Sequence, residues 1–324
     1  MKAAIIEEQG KAPVYGDMTA PIISQGMVVM DVKAAALSHL SKIRSEGSHY
    51  SSDDVFPRIA GVEGVGVTID GQRVYFFLPE SPYGALTEQT LAKETNVVRV
   101  PDELDDVTAA AIANPGMSSW AALMERAQFQ AGETVLVNGA TGTSGKLAVQ
   151  IAKYLGAKKV IATGRNKAEL QKLSALGADV TVPLTLDESD DSLANLTATL
   201  RDTFSDGIDV VIDYLWGDSA LAIMQAIDQS VPDGHNVRFV NCGASSKKEH
   251  IDMPSSLLRS SAIQLMGSGL GSVPMPKLLE TIGKVFEITK KANLQIDIKT
   301  VPLSEVEEVW GDFSGKPRIV FTMN

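Results

Sequence analysis

The sequence predicts an α/β protein in which a doubly wound parallel sheet is joined to a second, β-rich domain. Three observations carry this. From Thr134 onward, apolar strands and amphipathic helices alternate, the pattern of a parallel sheet covered on both faces. The stretch "GATGTSG", Gly139 to Gly145, separates the first of those strands from the first of those helices. The first hundred or so residues lack the alternation and read as short strands broken by Gly and Pro. At 324 residues the chain exceeds what one ordinary core fills, so two domains are expected.

Strands are expected in "MKAAII", "GMVVMDVKAAAL", "GVGVTI" and "RVYFFL". After "VVRVPDELDDVTAAAIANPGM" the texture changes. "TVLVNG" and "IDVVIDYL" are near-continuous apolar runs, as strands buried on both faces require. In "SGKLAVQIAKYLG", Ala148, Ile151, Ala152 and Leu155 repeat at helical spacing and make one sheet-facing stripe, and Gly156 supplies a left-handed stop. "KKVIATG" is the second strand. In the helix "NKAELQKLSALG", Asn166 can cap the start with Glu169 three residues later, and Gly177 ends it. "ADVTVPL", a helix around Ser189–Phe204, "IDVVIDYL", "SALAIMQAID", "NVRFVNCG" and "AIQLMGSG" complete the series. The tail from about Gly269, one helix and two short strands, is too small to fold alone and should return to the β-rich domain. There is no internal repeat and no low-complexity segment.

Composition excludes several classes of function. A formal charge of −11 argues against a nucleic-acid or anionic-membrane partner, which would need a surplus of Lys and Arg. Cys242 is the only cysteine, so an intrachain disulfide and a thiolate-rich metal site are both excluded. "MKAAIIEEQG" has no long apolar run, and no stretch approaches the roughly 20 apolar residues of a membrane span. A cytoplasmic location is the default expectation.

The glycine turn points to a dinucleotide. Laid on G-x-G-x-x-G, Ala140 takes the first glycine position, and Gly142 and Gly145 take the others. Gly142 would let the backbone approach a pyrophosphate, and Gly145 would let the helix pack close to the strand. Ala140, Thr141, Thr143 and Ser144 complete the turn, with the N–H groups of Thr143 and Ser144 at the positive end of the helix. A Gly-rich turn without a ligand shares the pattern; the preceding buried strand and following amphipathic helix favour the dinucleotide. NAD-selective folds usually end the second strand in Asp or Glu. Here it ends in Gly164-Arg165-Asn166, with no acid before Glu169. Arg165 offers a fork of donors suited to a 2′-phosphate, and Gly164 leaves room for one, so NADP(H) is the expected cofactor. The other reading is a solvated Arg165 on a protein indifferent to that phosphate.

The order of parts, with "FPRIAGVEGVGVTIDGQRV", "GMSSWAAL" and the glycine turn, resembles the medium-chain dehydrogenase/reductase superfamily over nearly the whole chain. The likeness is to its zinc-free quinone oxidoreductase branch. It implies a Rossmann doubly wound parallel sheet over residues 116–268 plus a β-rich GroES-like catalytic domain over 1–115 and 269–324. Zinc members carry Cys where this chain has Ser38, and Gly-His-Glu where it has Gly61-Val62-Glu63. The four-cysteine lobe is absent, and His39, His49, His235 and His250 show no ligand spacing, so no metal is expected. By the resemblance, Ser118 faces the nicotinamide. Tyr214 and Leu215 follow the fourth strand near the adenosine, and Asn241, Cys242 and Gly243 end the next strand beside the nicotinamide ribose. Ser38 and Tyr50 are the substrate-pocket candidates, a packed tyrosine being the alternative for Tyr50. The strand "AIQLMGSG" is where family members pair into homodimers. Tyr154 and Lys158 fit the Tyr-x-x-x-Lys of short-chain dehydrogenases, but Gly156 interrupts the helix between them, so the match is read as coincidence.

With no group in view to take the proton of an alcohol, the resemblance implies an easier reaction. That reaction is NADPH-dependent reduction of a quinone or other electron-poor α,β-unsaturated carbonyl, in which a conjugated oxygen takes the charge. An enoyl-thioester reductase and a non-catalytic NADP(H)-binding sensor or interaction protein are the alternatives.

Overall fold

The structure, a computed structural model, describes residues 1–45, 47, 55–185, 192–311 and 316–323. The chain divides into two units, Met1–Met117 with Met275–Asn324, and Ser118–Pro274. Along the chain the first unit opens with β1 (Lys2–Ile6), β2 (Val14–Asp17), β3 (Met27–Ala36), α1 (His39–Ser45), β4 (Arg58–Ile59), β5 (Glu63–Thr68), β6 (Arg73–Phe77), β7 (Gln89–Lys93), β8 (Val97–Arg99) and α2 (Asp106–Trp120). The second contains β9 (Thr134–Asn138), α3 (Thr143–Tyr154), β10 (Lys159–Gly164), α4 (Lys167–Lys172), β11 (Val180–Pro183), α5 (Ser192–Thr203), β12 (Val210–Asp213), α6 (Gly217–Ser230), β13 (Val237–Asn241), α7 (Ser255–Ser260) and β14 (Ile263–Gly267). The first unit then resumes with α8 (Met275–Lys291), β15 (Ile298–Pro302), α9 (Val306–Trp310) and β16 (Arg318–Thr322).

In the first unit, β2-β1-β4 form one sheet and β15-β16-β3-β5-β6-β8 the path of a second, with β7 added along β3. Strand β16 pairs antiparallel with β3, Phe321 opposite Ala35, so the C-terminal segment is a structural strand of the N-terminal sheet. Alternating side chains of β3 enter a core of Met30, Val32, Val74, Phe76, Val301 and Phe321.

The second unit holds a fully parallel sheet in the order β11-β10-β9-β12-β13-β14. Strand β9 comes first in the chain yet lies in the middle, because the crossovers run outward from it in both directions. The carboxyl ends of β9 and β12 therefore open onto the crevice of a doubly wound sheet. Leu136, Ile161, Val211 and Phe239, one from each of four strands, share a core with Leu200, Phe204 and Ile223 from the helical connections. This burial on both faces is why "TVLVNG" carries no alternation.

Local signals act as expected. Asn166 accepts the Glu169 N–H at 3.1 Å and caps α4. Gly156 and Gly177 adopt φ +92° and +110° at the ends of their helical segments. The second helix tightens into a 3₁₀ turn over Leu173–Leu176 before Gly177, and the helix expected around Ser189–Phe204 spans Ser192–Thr203. After α2, residues Ala121–Arg126 widen into a π-helical stretch that periodicity does not reveal. No helix among the described residues is long and apolar enough to cross a membrane.

Candidate functional site

The turn after β9 is made by Gly139, whose φ of +83° lies in the left-handed region. Ala140, one place later, is fully buried, and its N–H donates to the Thr163 carbonyl at 2.8 Å. The glycine the fingerprint lacks at 140 is thus supplied at 139, where the chain reverses. A Cβ at Gly145 would fall 2.6 Å from Ala140 Cα and closer still to the Gly139 carbonyl oxygen. Helix α3 therefore sits as close to the turn as backbone allows. A Cβ at Gly142 would meet only the Gly139 oxygen, at 3.5 Å, an ordinary contact. Packing does not demand glycine there, which leaves approach by a ligand as its use. Helix α3 starts at Thr143 and places its positive end over this turn.

A polar ladder runs under the turn across four strand ends. Thr163 on β10 donates to Asn138 Oδ1 at 2.6 Å, and Asn138 on β9 donates to Asp213 Oδ1 at 2.8 Å. Asn241 on β13 donates to Asp213 Oδ2 at 3.0 Å. The parallel register makes this inevitable, since Asp213 stands opposite both Asn138 and Asn241. Asp213 also accepts the N–H groups of Leu215 and Trp216, holding Trp216 at φ +60°. Burial pushes the Asp213 carboxyl above its ordinary range, against those four sets of hydrogen bonds. Burial, then the Asp213 charge, pushes the Cys242 thiol up, so it has no thiolate character.

At the end of β10, Arg165 is exposed and Gly164 buried. A Cβ at Gly164 would lie 2.6 Å from Thr141 Cγ2, so this glycine admits the Thr141 side chain. Glu169 accepts Lys172 at 2.6 Å and Lys146 at 3.2 Å. Hydrogen bonds from Lys172 and then Lys146 hold its carboxyl down to about 2. The first acid after the strand is thus occupied by two ammonium groups.

Tyr214 lies beside Ser118 and Ser119. Ser119 Oγ donates to the Ser144 carbonyl at 3.0 Å and lies 3.0 Å from the Tyr214 hydroxyl. With the one Ser119 proton committed, Tyr214 is the donor of that pair. Burial, then the neighbouring Cys242, raises the Tyr214 phenol, while hydrogen bonds to Ser119 and Ser118 lower it. Leu215 packs on the glycine turn, within 2.9 Å of where a Gly139 Cβ would stand, and Gly243 lies against the Tyr214 carbonyl. The second unit thus brings together the glycine turn, Ser118, Tyr214, Leu215, Asn241, Cys242 and Gly243. Sequence reasoning missed Gly139, Ser119 and Lys146. The spacing G-x-x-G-x-x-G over Gly139, Gly142 and Gly145 is the signal that includes Gly139; the other two carry no signal of their own.

In the first unit Ser38 is 3% exposed and acts as a helix cap, its Oγ accepting the Ser41 N–H at 3.0 Å and lying 2.9 Å from Ser41 Oγ. Tyr50 lies outside the described residues. Glu63 is fully buried and accepts Arg318 at 2.9 Å, Tyr75 at 2.9 Å and Asn114 at 2.9 Å. His39 loses proton affinity through burial, then the charges of Arg318 and Lys42. Val62 lines a small, partly open cavity of about 40 Å³ with Ser41, Arg58 and Tyr83. These groups do not fit a zinc ion: Val62 offers no donor, the Ser38 hydroxyl is committed to α1, and Glu63 is saturated. Among the described residues, no cluster of three or more His, Cys, Asp or Glu could hold a metal.

Residues 145–284 match the family model described as "Zinc-binding dehydrogenase". The "Probable NADPH-dependent quinone reductase tdiC" of Emericella nidulans is 26% identical, over 96% of this chain and 97% of its own. The "2-methylene-furan-3-one reductase" of Solanum lycopersicum is 28% identical, over 76% of this chain and 68% of its own. The crystal structure of the quinone oxidoreductase from Thermus thermophilus, also described in complex with NADPH, matches with a TM-score of 0.81. That match covers 99% of this chain and 100% of the other, and at 23% identity it speaks to the fold alone. Strand order, glycine turn and full-length relatives agree in what the chain is similar to: the medium-chain dehydrogenase/reductase superfamily, in its quinone oxidoreductase-like branch.

Proposed function

We propose that this protein is an NADPH-dependent reductase of quinones or α,β-unsaturated carbonyls that works without zinc. The observation that carries the reading is the cradle at the end of β9. Gly139 turns there at φ +83°, Gly145 lets α3 start against that backbone, and Gly142 has only one atom within reach of a Cβ, which together support a backbone-bound diphosphate. Ala140 to Gly145 would hold the diphosphate. Gly164, Arg165 and Asn166 would face the adenosine ribose, with Arg165 on the 2′-phosphate. Ser118, Tyr214, Leu215, Asn241, Cys242 and Gly243 would line the remainder of the nucleotide. NADPH, when bound, supplies the hydride. The protein's own part is to fix the nucleotide through these groups and keep water out. Tyr214, whose phenol burial keeps neutral, contributes a hydrogen bond and not a proton.

Ser38 and Tyr50 are proposed for the acceptor pocket. Zinc independence is favoured by the donor set at Ser38, Val62 and Glu63. A cytoplasmic homodimer completes the reading, pairing through β14, an edge strand whose Leu265 is 41% exposed.

The test follows NADPH and NADH oxidation by the purified protein against quinones, enones, aldehydes and enoyl-CoA esters, before and after dialysis against a chelator. Faster turnover with NADPH on quinones or enones, unchanged by the chelator, is the expected result. No oxidation with any acceptor, or loss of activity to the chelator, would overturn the proposal.

A further inference from the structure

The cluster beyond β10 holds a cation that the strand-end motif does not contain. Lys146 belongs to the first turn of α3, well upstream in the chain, yet its ammonium reaches Glu169 in the first turn of α4. Its side chain is 14% exposed, against 68% for Lys172 on the other side of the same carboxylate. Glu169 in turn is fixed through its own N–H to Asn166, so the Lys146 ammonium is anchored over the loop that follows Gly164. In a chain of net charge −11, Lys146 and Lys172 both pair with this one acid, and Arg165 and Lys167 stand beside it in the sequence of the same loop. Two elements converge to make this surplus, and only one belongs to the strand end that is usually searched for cofactor selectivity.

We infer that Lys146 is a specificity-determining residue for the 2′-phosphate of NADPH, held ready by Glu169. The inference rests on the NADP(H) reading above and deepens it. Arg165, exposed to solvent, offers a screened and mobile charge. Lys146 offers a largely buried one whose position is set before the nucleotide arrives, and a charge in that setting discriminates more strongly. Glu169 does not compete as an NAD-selecting carboxylate, because both its oxygens already accept ammonium protons. A doubly charged phosphate is the stronger acceptor, so the ammonium can turn from Glu169 toward it while Lys172 keeps the carboxylate paired.

The experiment measures binding, without turnover, by titrating the full chain calorimetrically with adenosine 2′,5′-bisphosphate and with 5′-AMP. Lys146→Met should lower the preference for the bisphosphate about tenfold or more, as loss of a charge-assisted hydrogen bond implies. Lys146→Arg should restore most of it. An unchanged preference in a folded Lys146→Met protein overturns the inference. Should that variant not fold, Glu169→Gln tests the claim from the other side. Without its anchor the ammonium is no longer held in place, so the preference should fall severalfold, and a rise or no change overturns the inference. Failure of the NADP(H) reading is separately visible, because the parent protein would then bind neither adenosine nucleotide or bind both without preference.

Discussion

Asn138 and Asp213 are joined side chain to side chain at 2.8 Å across neighbouring parallel strands, both fully buried, beneath the turn proposed to hold the diphosphate. Their pairing fixes the carboxyl ends of β9 and β12 to one another at the place where the strand order reverses. Asp213→Ala would leave the buried donor of Asn138 and the half-buried donors of Asn241, Leu215 and Trp216 without this acceptor. The expected loss is about 3 kcal/mol or more, since each stranded buried donor costs ~1–3 kcal/mol. Asp213→Asn keeps one acceptor oxygen and should fall between. Denaturant unfolding of the three proteins checks the order.

The two later glycines of the turn should separate structure from binding. Gly145→Ala forces a Cβ into backbone and should cost about 2 kcal/mol or more, on the scale of overpacking. Gly142→Ala meets one atom at 3.5 Å with φ at −75°, so stability should change by less than about 1 kcal/mol. Affinity for NADPH should nevertheless drop, because the added methyl occupies the surface a diphosphate would approach. Thermal unfolding alongside nucleotide titration reads both effects.

Acid should dissolve the Lys146–Glu169–Lys172 cluster in a defined window. The Glu169 carboxyl titrates at about 2 in the folded protein, below its ordinary 4.5. The folded state therefore binds this proton less readily than the unfolded one. The resulting stabilisation is complete above 4.5 and fades as pH falls toward 2. Glu169→Gln should be less stable than the parent at neutral pH, with the gap closing across that interval. Melting temperatures measured from neutral pH down through that interval would show it, and a gap that widens in acid would contradict the assignment.

In the first unit the Glu63–Arg318 pair should be far costlier to break than to replace. Arg318→Met leaves a buried carboxylate with only Tyr75 and Asn114, an expected loss of about 3–5 kcal/mol. Combining it with Glu63→Gln removes the orphaned charge and should recover much of that loss. A double-mutant cycle on unfolding free energy measures the coupling, and simple additivity would refute it.

How much of this was legible depends on the range over which each feature is encoded. The helix stops at Gly156 and Gly177 and the cap at Asn166 depend on residues within one turn, so the sequence displays them openly. The βα alternation likewise announces the parallel sheet, because burial on both faces leaves unbroken apolar runs such as "TVLVNG". The pairing of β16 with β3 joins residues almost three hundred positions apart, and no local pattern encodes it. In the site, the glycine turn is visible over Gly139–Gly145, and only the backbone shows that the left-handed residue is Gly139, one place before the fingerprint position that Ala140 takes. Ser119 and Lys146 were invisible for a different reason. A serine beside another serine and a lysine on an amphipathic helix look like many others until folding sets them against Tyr214 and Glu169. Ser38 also caps the start of α1, a local role that its place just before the helix accounts for.

The contact between Gly164 and Thr141 bears on any attempt to redesign cofactor preference. Introducing an acid at the end of β10 is the obvious way to recruit NADH, but the space beside Gly164 is filled by the Thr141 methyl. A side chain at 164 therefore requires the Thr141 side chain to move. A single-site library at 164 should yield mostly damaged proteins, and a smaller residue at 141 is the permissive step that must come first.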